Sequence, residues 1–97
     1  MRYEIILAPE ASEHFHRLQA HIRAMVRDAL ETHLRFEPTR GSKSRIKRLR
    51  GMKRPEYRLR VDEVRVYYDV TEDTVEVLAI VEKSEAQAWL EDKGERT

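Results

Sequence analysis

The stretch Tyr57 to Val70, YRLRVDEVRVYYDV, alternates apolar and polar residues on both sides of Asp62-Glu63. A side-chain period of two belongs to a β-strand with one buried face; on a helix the same residues would scatter around the axis. Two such runs meeting at a two-residue step predict an antiparallel hairpin, although the step lacks the Asn-Gly or Asp-Gly of the strongest turns. With Tyr57, Leu59, Val61, Val64, Val66, Tyr68 and Val70 on the core face, Arg58, Arg60, Arg65 and Tyr67 must share the other. Three arginines on one strand face are the feature that the rest of the chain has to accommodate.

The flanking patterns supply what packs against this hairpin. Residues 2–7 read as a first strand in which Tyr3, Ile5 and Leu7 alternate, and Pro9 opens a helix, where its missing N–H costs nothing. Ala11, Phe15, Leu18 and Ile22, then Met25, Val26, Ala29, Leu30 and Leu34, recur at helical spacing, predicting two helices or one bent one that ends before Pro38. EPTRGSKS, residues 37–44, reads as a loop leading to a short basic strand between Ile46 and Leu49. RGMKRPE is then a connection punctuated by Gly51 and Pro55. Thr74 to Val81 is nearly all apolar and fits an interior strand. Ser84 is the expected N-cap of a short closing helix that stops at Gly94, with Glu95 to Thr97 frayed beyond it. The sum is an α+β domain over residues 1–97, with two N-terminal helices on one face of a mainly antiparallel sheet of about four strands and a short C-terminal helix. No repeat or low-complexity tract interrupts it.

Charge distribution narrows function more than net charge does. The formal net charge is only +1, yet Arg40 to Arg60 holds ten Lys or Arg against Glu56 alone, while Asp62 to Glu76 holds six acids against Arg65. A local block of cations is the footprint of phosphate binding, which makes Arg45, Lys47, Arg48, Arg50, Lys53 and Arg54 candidate RNA or DNA contacts; a solvated basic loop is the plainer alternative. The chain has no cysteine, which removes disulfides, thiolate nucleophiles and Cys metal sites and suits a cytoplasmic setting. No apolar run approaches the roughly 20 residues of a membrane span, and the N-terminal one is too short for a signal peptide. His14, His16, His21 and His33 lack the i, i+4 pairing of a helical zinc site with its carboxylate, so neither metal nor cofactor is expected. No serine sits on a glycine elbow, and no glycine loop can cradle a nucleotide.

What remains is an array of fixed cations. Arginine does not serve as a base near neutral pH, but its planar fork grips phosphate oxygens and stabilises charge that develops in phosphoryl chemistry. Such a face binds nucleic acid or an acidic partner. To cut RNA without metal it would also have to align a 2′-hydroxyl with the adjacent phosphate. The bland alternative is a solubilising strand face, or one paired with acids such as Asp69, Glu76 or Glu82.

The order strand, helical hairpin, basic loop and hairpin, with Leu49-Arg50-Gly51 followed by Tyr57-Arg58-Leu59-Arg60 and Arg65-Val66-Tyr67-Tyr68, resembles the RelE/ParE superfamily of bacterial type II toxins over nearly the whole chain, closer to RelE. The resemblance implies the α+β fold above, with the sheet face away from the helices left as a basic cleft. It also implies a cognate antitoxin as partner, operator DNA reached only through that antitoxin, and no membrane. RelE-like members enter the ribosomal A site and cut mRNA without metal, giving a 2′,3′-cyclic phosphate; ParE-like members poison DNA gyrase. A member that binds only antitoxin or operator DNA is a third outcome.

On the RelE pattern, Arg58 and Arg60 fall where lysines are frequent and Arg65 on a phosphate-contacting arginine. Lys83 falls where a further arginine is usual, and Trp89 where a tyrosine often organises the reacting nucleotide. These five are the implied catalytic set. Arg58 in place of lysine weakens a general-base role, and Trp89 keeps a stacking surface without a phenolic hydroxyl. Tyr67, Glu82 and Glu85 are other groups within range. Trp89 as a core plug and Lys83 as a surface charge are the structural alternatives.

Overall fold

The computed structural model describes residues 1–97. Strands β1 (Glu4–Leu7), β2 (Ile46–Arg48), β4 (Tyr57–Val61), β5 (Val64–Val70) and β6 (Thr74–Glu82) form a sheet of order β1-β6-β5-β4-β2. Every pairing is antiparallel except β1 on β6, where Ile5 lies opposite Val75. The hairpin turns at Asp62-Glu63, with Val61 opposite Val64. Asp62 adopts φ 52°, a left-handed conformation that Asp tolerates better than most residues because its short side chain can bond locally. The sheet is the mainly antiparallel one anticipated, with the basic segment Ile46–Arg48 as its fifth strand.

Helices α1 (Pro9–Arg17) and α2 (Ala20–Ala29), the latter prolonged by a π-helical segment Leu30–Leu34, cover one face. The chain breaks at Leu18-Gln19, and Arg23 Nη2 donates to Leu18 O at 2.8 Å and His16 O at 3.3 Å, satisfying carbonyls that the end of α1 leaves open. Ala11, Val26 and Leu34 pack on Leu59, Val66, Tyr68, Val75 and Val77, all at 0% exposure. Each of the larger side chains contributes roughly 1.5–3 kcal/mol by leaving water. Tyr68 stacks on Tyr57 at 5.5 Å and donates its hydroxyl to Pro38 O at 2.7 Å, tying the loop after the helices to the core.

The pairing of β5 with β6 slips by one residue between Tyr67 and Tyr68, whose partners are Ala79 and Val77. Leu78 is thereby the extra residue of a bulge. Nearby, Ile80 N–H donates to His14 Nδ1 on α1 at 3.1 Å, so a helix histidine completes the strand's hydrogen bonding.

The second face is covered in part by α3 (Lys83–Lys93). Its N-cap is Glu82 rather than Ser84, which lies inside the first turn with no capping bond; Lys83 N–H donates instead to Glu63 O at 2.7 Å, fixing the helix start to the hairpin turn. Ala86, Trp89 and Leu90 pack on Tyr67, Ala79 and Leu49. Two further expectations are corrected beyond α3. The MKR of the RGMKRPE connection is strand β3 (Met52–Arg54), and the tail anticipated as frayed supplies β7 (Glu95–Arg96), which pairs with it. An added Cβ at Gly94 would lie 2.5 Å from Met52 Cε and 2.6 Å from Leu90 O, so glycine is what lets the chain leave α3 against β3. No helix is long and apolar enough to cross a membrane.

Candidate nucleic-acid interface

Register converts the alternation of β2, β4 and β5 into two cross-strand rows on the face away from α1 and α2. Lys47 lies opposite Arg58, and Arg58 opposite Tyr67; one step along, Arg60 lies opposite Arg65. Directly opposed like charges destabilise a sheet, so Lys47 beside Arg58 and Arg60 beside Arg65 is an arrangement that folding alone would disfavour. Acids do not relieve it. The ion pairs are Arg35 with Glu31, Arg40 with Glu37, Arg48 with Glu56, and Arg54 with both Asp69 and Glu76.

The three arginines differ in how they are held. Arg65 is 7% exposed, and its Nη1 donates to Asp62 O at 2.8 Å and Val64 O at 3.1 Å. Its guanidinium is thus fixed to the hairpin that carries it, while Nε and Nη2 make no hydrogen bond within the protein. Arg58 is half-buried and its Nε has no hydrogen-bond partner. Burial, the Arg65 charge and, less strongly, the Arg60 charge hold its guanidinium below the ordinary arginine range, partly offset by Tyr67. Arg60 is exposed. Burial pushes the Tyr67 hydroxyl up, against the pull of Arg58 and Arg65, so this phenol keeps its proton near neutral pH. Beside Arg58 the rows therefore offer strong anion stabilisation and no ready proton acceptor; the carboxylates Glu63 and Glu82 stand at their hairpin end, lining a pocket with Lys83 and Ser84.

Trp89 is placed as a cover. Its ring stacks on Tyr67 at 5.3 Å with a 7° interplanar angle, and its Nε1 donates to Glu10 Oε1 at 3.0 Å. One face of the indole is thereby occupied, and α3 is bonded to the first turn of α1. The composition held a signal for this contact: Tyr67 is the one aromatic among the arginines of its face, and a buried phenol ring needs apolar cover. Glu10 as the indole's partner had no such signal, because 79 residues separate them. Lys83 is exposed at the start of α3, where Glu82 pairs with Val64 at the hairpin end of the rows.

The basic block divides among three surfaces. Lys47 joins the rows, and Arg50 stands beside it at a groove under α3. Arg48 turns to the helix side, 5.4 Å above the Tyr57 ring and 3.9 Å from Glu56. Arg45 lines a separate polar pocket of about 300 Å³ with His33, Arg40 and Ser42. Arg54 is held by Asp69 at 3.3 Å and Glu76 at 3.0 Å; Lys53, beside it on β3, is exposed. Of the candidate set, the fold gathers Lys47, Arg58, Arg60 and Arg65 most closely, with Arg50 and Lys83 at opposite ends.

Residues 5–87 match the family model described as the ParE toxin of the type II toxin-antitoxin system parDE. Among solved structures, the RelBE2 toxin-antitoxin complex of Mycobacterium tuberculosis contains a chain that is 24% identical, with TM-score 0.69 over 84% of this chain and 99% of that one. A mutant of the E. coli toxin RelE in the free state is 22% identical, with TM-score 0.68 and 92% of each chain covered. The YoeB dimer of Staphylococcus aureus gives 17% identity and TM-score 0.63, over 84% of this chain and 97% of that one. At these identities the likeness is one of fold. No curated protein matches the chain by sequence.

Proposed function

Because the chain belongs to the ParE toxin family of type II toxin-antitoxin systems, we propose that its toxic activity is the metal-independent cleavage of mRNA on the ribosome, carried by the cation rows and halting translation in the cytoplasm. The observation that carries this reading is the set Lys47, Arg58, Arg60 and Arg65, adjacent in register and free of carboxylate partners. A phosphodiester backbone neutralises the like-charge opposition that the folded protein leaves standing. In the reaction, a 2′-hydroxyl oxygen gives up its proton to solvent water and forms a bond to the neighbouring phosphorus, while the bond to the 5′-oxygen breaks and that oxygen takes a proton from water, giving a 2′,3′-cyclic phosphate and a free 5′-hydroxyl. Arg65, fixed by its carbonyl bonds, holds a phosphate oxygen. Arg58 and Arg60 then take up charge as it grows on the phosphorane, with Lys83 at the end of the row. Loss of one such donor costs about 10²–10³ in rate in comparable oxyanion sites. Trp89 serves this site by holding Tyr67 and α3 in place.

A cognate antitoxin is part of the same reading. Solved chains of this fold occur in complexes of RelE with RelB and of YoeB with YefM, and an acidic segment that folds on binding would neutralise the same rows. Operator DNA is then reached through the antitoxin. A second reading, inhibition of DNA gyrase by binding alone, is favoured by one observation, the lack of a proton acceptor beside Arg58, and it agrees with the parDE family model. Expression without antitoxin separates the two. Cleavage of mRNA within ribosome-bound codons is expected; intact mRNA with gyrase-dependent DNA breaks would transfer the function to the second reading.

A further inference from the structure

A groove of about 520 Å³ opens beside the cation rows, between α3 on one side and β2, β3 and β7 on the other. Its floor is Leu49, Met52 and Leu90, and its rim is Lys47, Arg50 and Arg96. No carboxylate lines it, in a chain where acids and bases are nearly balanced overall. Gln87 stands at the mouth; its Nε2 donates to Glu91 Oε1 at 3.3 Å, leaving its carbonyl oxygen free. The volume falls within the ~300–1,000 Å³ of small-ligand clefts.

We propose that this groove is a nucleobase subsite, holding one unstacked base of a single-stranded RNA whose backbone lies on the adjoining rows. Lys47 belongs to both: it lies opposite Arg58 in the sheet and lines the groove. A strand gripped at Arg58 and Lys47 therefore passes the groove mouth within the reach of one nucleotide. An apolar floor accepts the flat face of a ring whatever its edge, and rim cations take the phosphates on either side. The carbonyl of Gln87 adds an acceptor for an exocyclic amine. An amphipathic protein helix is a poorer occupant, because it needs an apolar stripe over two or more turns, about 11 Å, and three side chains do not provide one. The subsite exists only because the C-terminal tail folds: Arg96 on β7 pairs with Met52, and Gly94 lets Met52 lie against α3.

The inference rests on the RNA reading, and the test separates their failures. The protein, carrying labelled Leu and Met methyl groups, is titrated with a 2′-O-methyl trinucleotide, whose attacking hydroxyl is blocked, and with versions made abasic at each position in turn. Ring-current shifts at the Leu49, Met52 and Leu90 methyls are expected with the intact trinucleotide. One abasic version should bind about tenfold more weakly and lose those shifts, while Arg50→Ala weakens intact and abasic forms alike. Binding with unmoved methyls, or with equal affinity for all versions, overturns the subsite and leaves the RNA reading standing. No binding of any trinucleotide overturns both. Shifts of the same methyls by an acidic helical peptide but not by RNA would assign the groove to a protein partner and overturn the proposal.

Discussion

Arg58 and Arg65 sit in adjacent strands of one sheet, yet removing them should have opposite consequences for stability. Arg65 is buried and donates to Asp62 O and Val64 O, and bonds from a charged donor are worth about 1.5–3 kcal/mol. Arg65→Ala should therefore lower unfolding free energy by roughly 2 kcal/mol in urea titrations and abolish toxicity, so its loss of function has to be measured on protein shown to be folded. Arg58 instead leaves a buried Nε without a partner and faces like charges. Arg58→Leu should leave the urea midpoint unchanged or raised while RNA binding falls, the pattern of a residue kept for function at the expense of stability. His33 carries the pH signature of the pocket on the helix side. Burial and then the Arg45 charge push its imidazole below 6.5. A base with a depressed folded pKa contributes stability that is present above 6.5 and lost as pH falls through the folded value. NMR titration should place the His33 midpoint below 6.5 and move it up in Arg45→Ala. The arginine face itself was legible from alternation plus a two-residue turn, since these fix register. Arg48 was not separable in that way, because Ile46 and Leu49, three residues apart, fix no face for the residues between them; its place on the helix side follows from its contact with the Tyr57 ring. Arg54 was not separable either, because its partners Asp69 and Glu76 depend on where β3 lies over β5 and β6.

At the scale of elements, α3 joins the two faces of the sheet. Its start is bonded to the hairpin turn through Lys83 N–H, its middle to Tyr67 and Glu10 through Trp89, and its end to β3 through the β7 tail. Local pattern identified the helix and its stop at Gly94 but not these attachments. Two residues of β7 have no periodicity to read, and their pairing with β3 is a consequence of α3 ending where it does. Trp89 is where the platform and plug readings part. Trp89→Phe keeps a ring over Tyr67 and loses the bond to Glu10, a cost of about 1 kcal/mol. Trp89→Ala removes the stack as well and should cost about 3 kcal/mol. If the indole acts as cover, the Phe variant keeps full toxicity in cells without antitoxin, and Glu10→Ala matches it in stability. A Phe variant that is fully folded but inactive would instead mean that the indole itself contacts the nucleotide.

For the whole molecule, a net charge of +1 says little about partners, because the fold segregates what the sequence mixes. Arg54 draws Asp69 and Glu76 to itself, Arg48 draws Glu56, and the acids so consumed leave Lys47, Arg58, Arg60 and Arg65 uncompensated on one face. The Debye length is about 8 Å at physiological salt, so a strand lying on that face responds to the cations gathered there and not to the total. Counterion release then sets a quantitative expectation. Neutralising Z phosphates on a single strand gives a slope of about −0.7Z in log K against log salt, which is close to −2.8 for the four row cations and about −4.2 when Arg50 and Arg96 of the groove rim also meet phosphate. Fluorescence anisotropy of a labelled 2′-O-methyl oligonucleotide, measured between low and physiological salt, should return a slope between those values. Lys47→Ala should reduce its magnitude by about 0.7, whereas Arg54→Ala, already paired with acids, should leave it unchanged. A wild-type slope near zero would mean that the segregated face does not meet phosphate. An equal loss from both variants would mean that the basic block acts as one diffuse patch, without the distinction between rows and ion pairs.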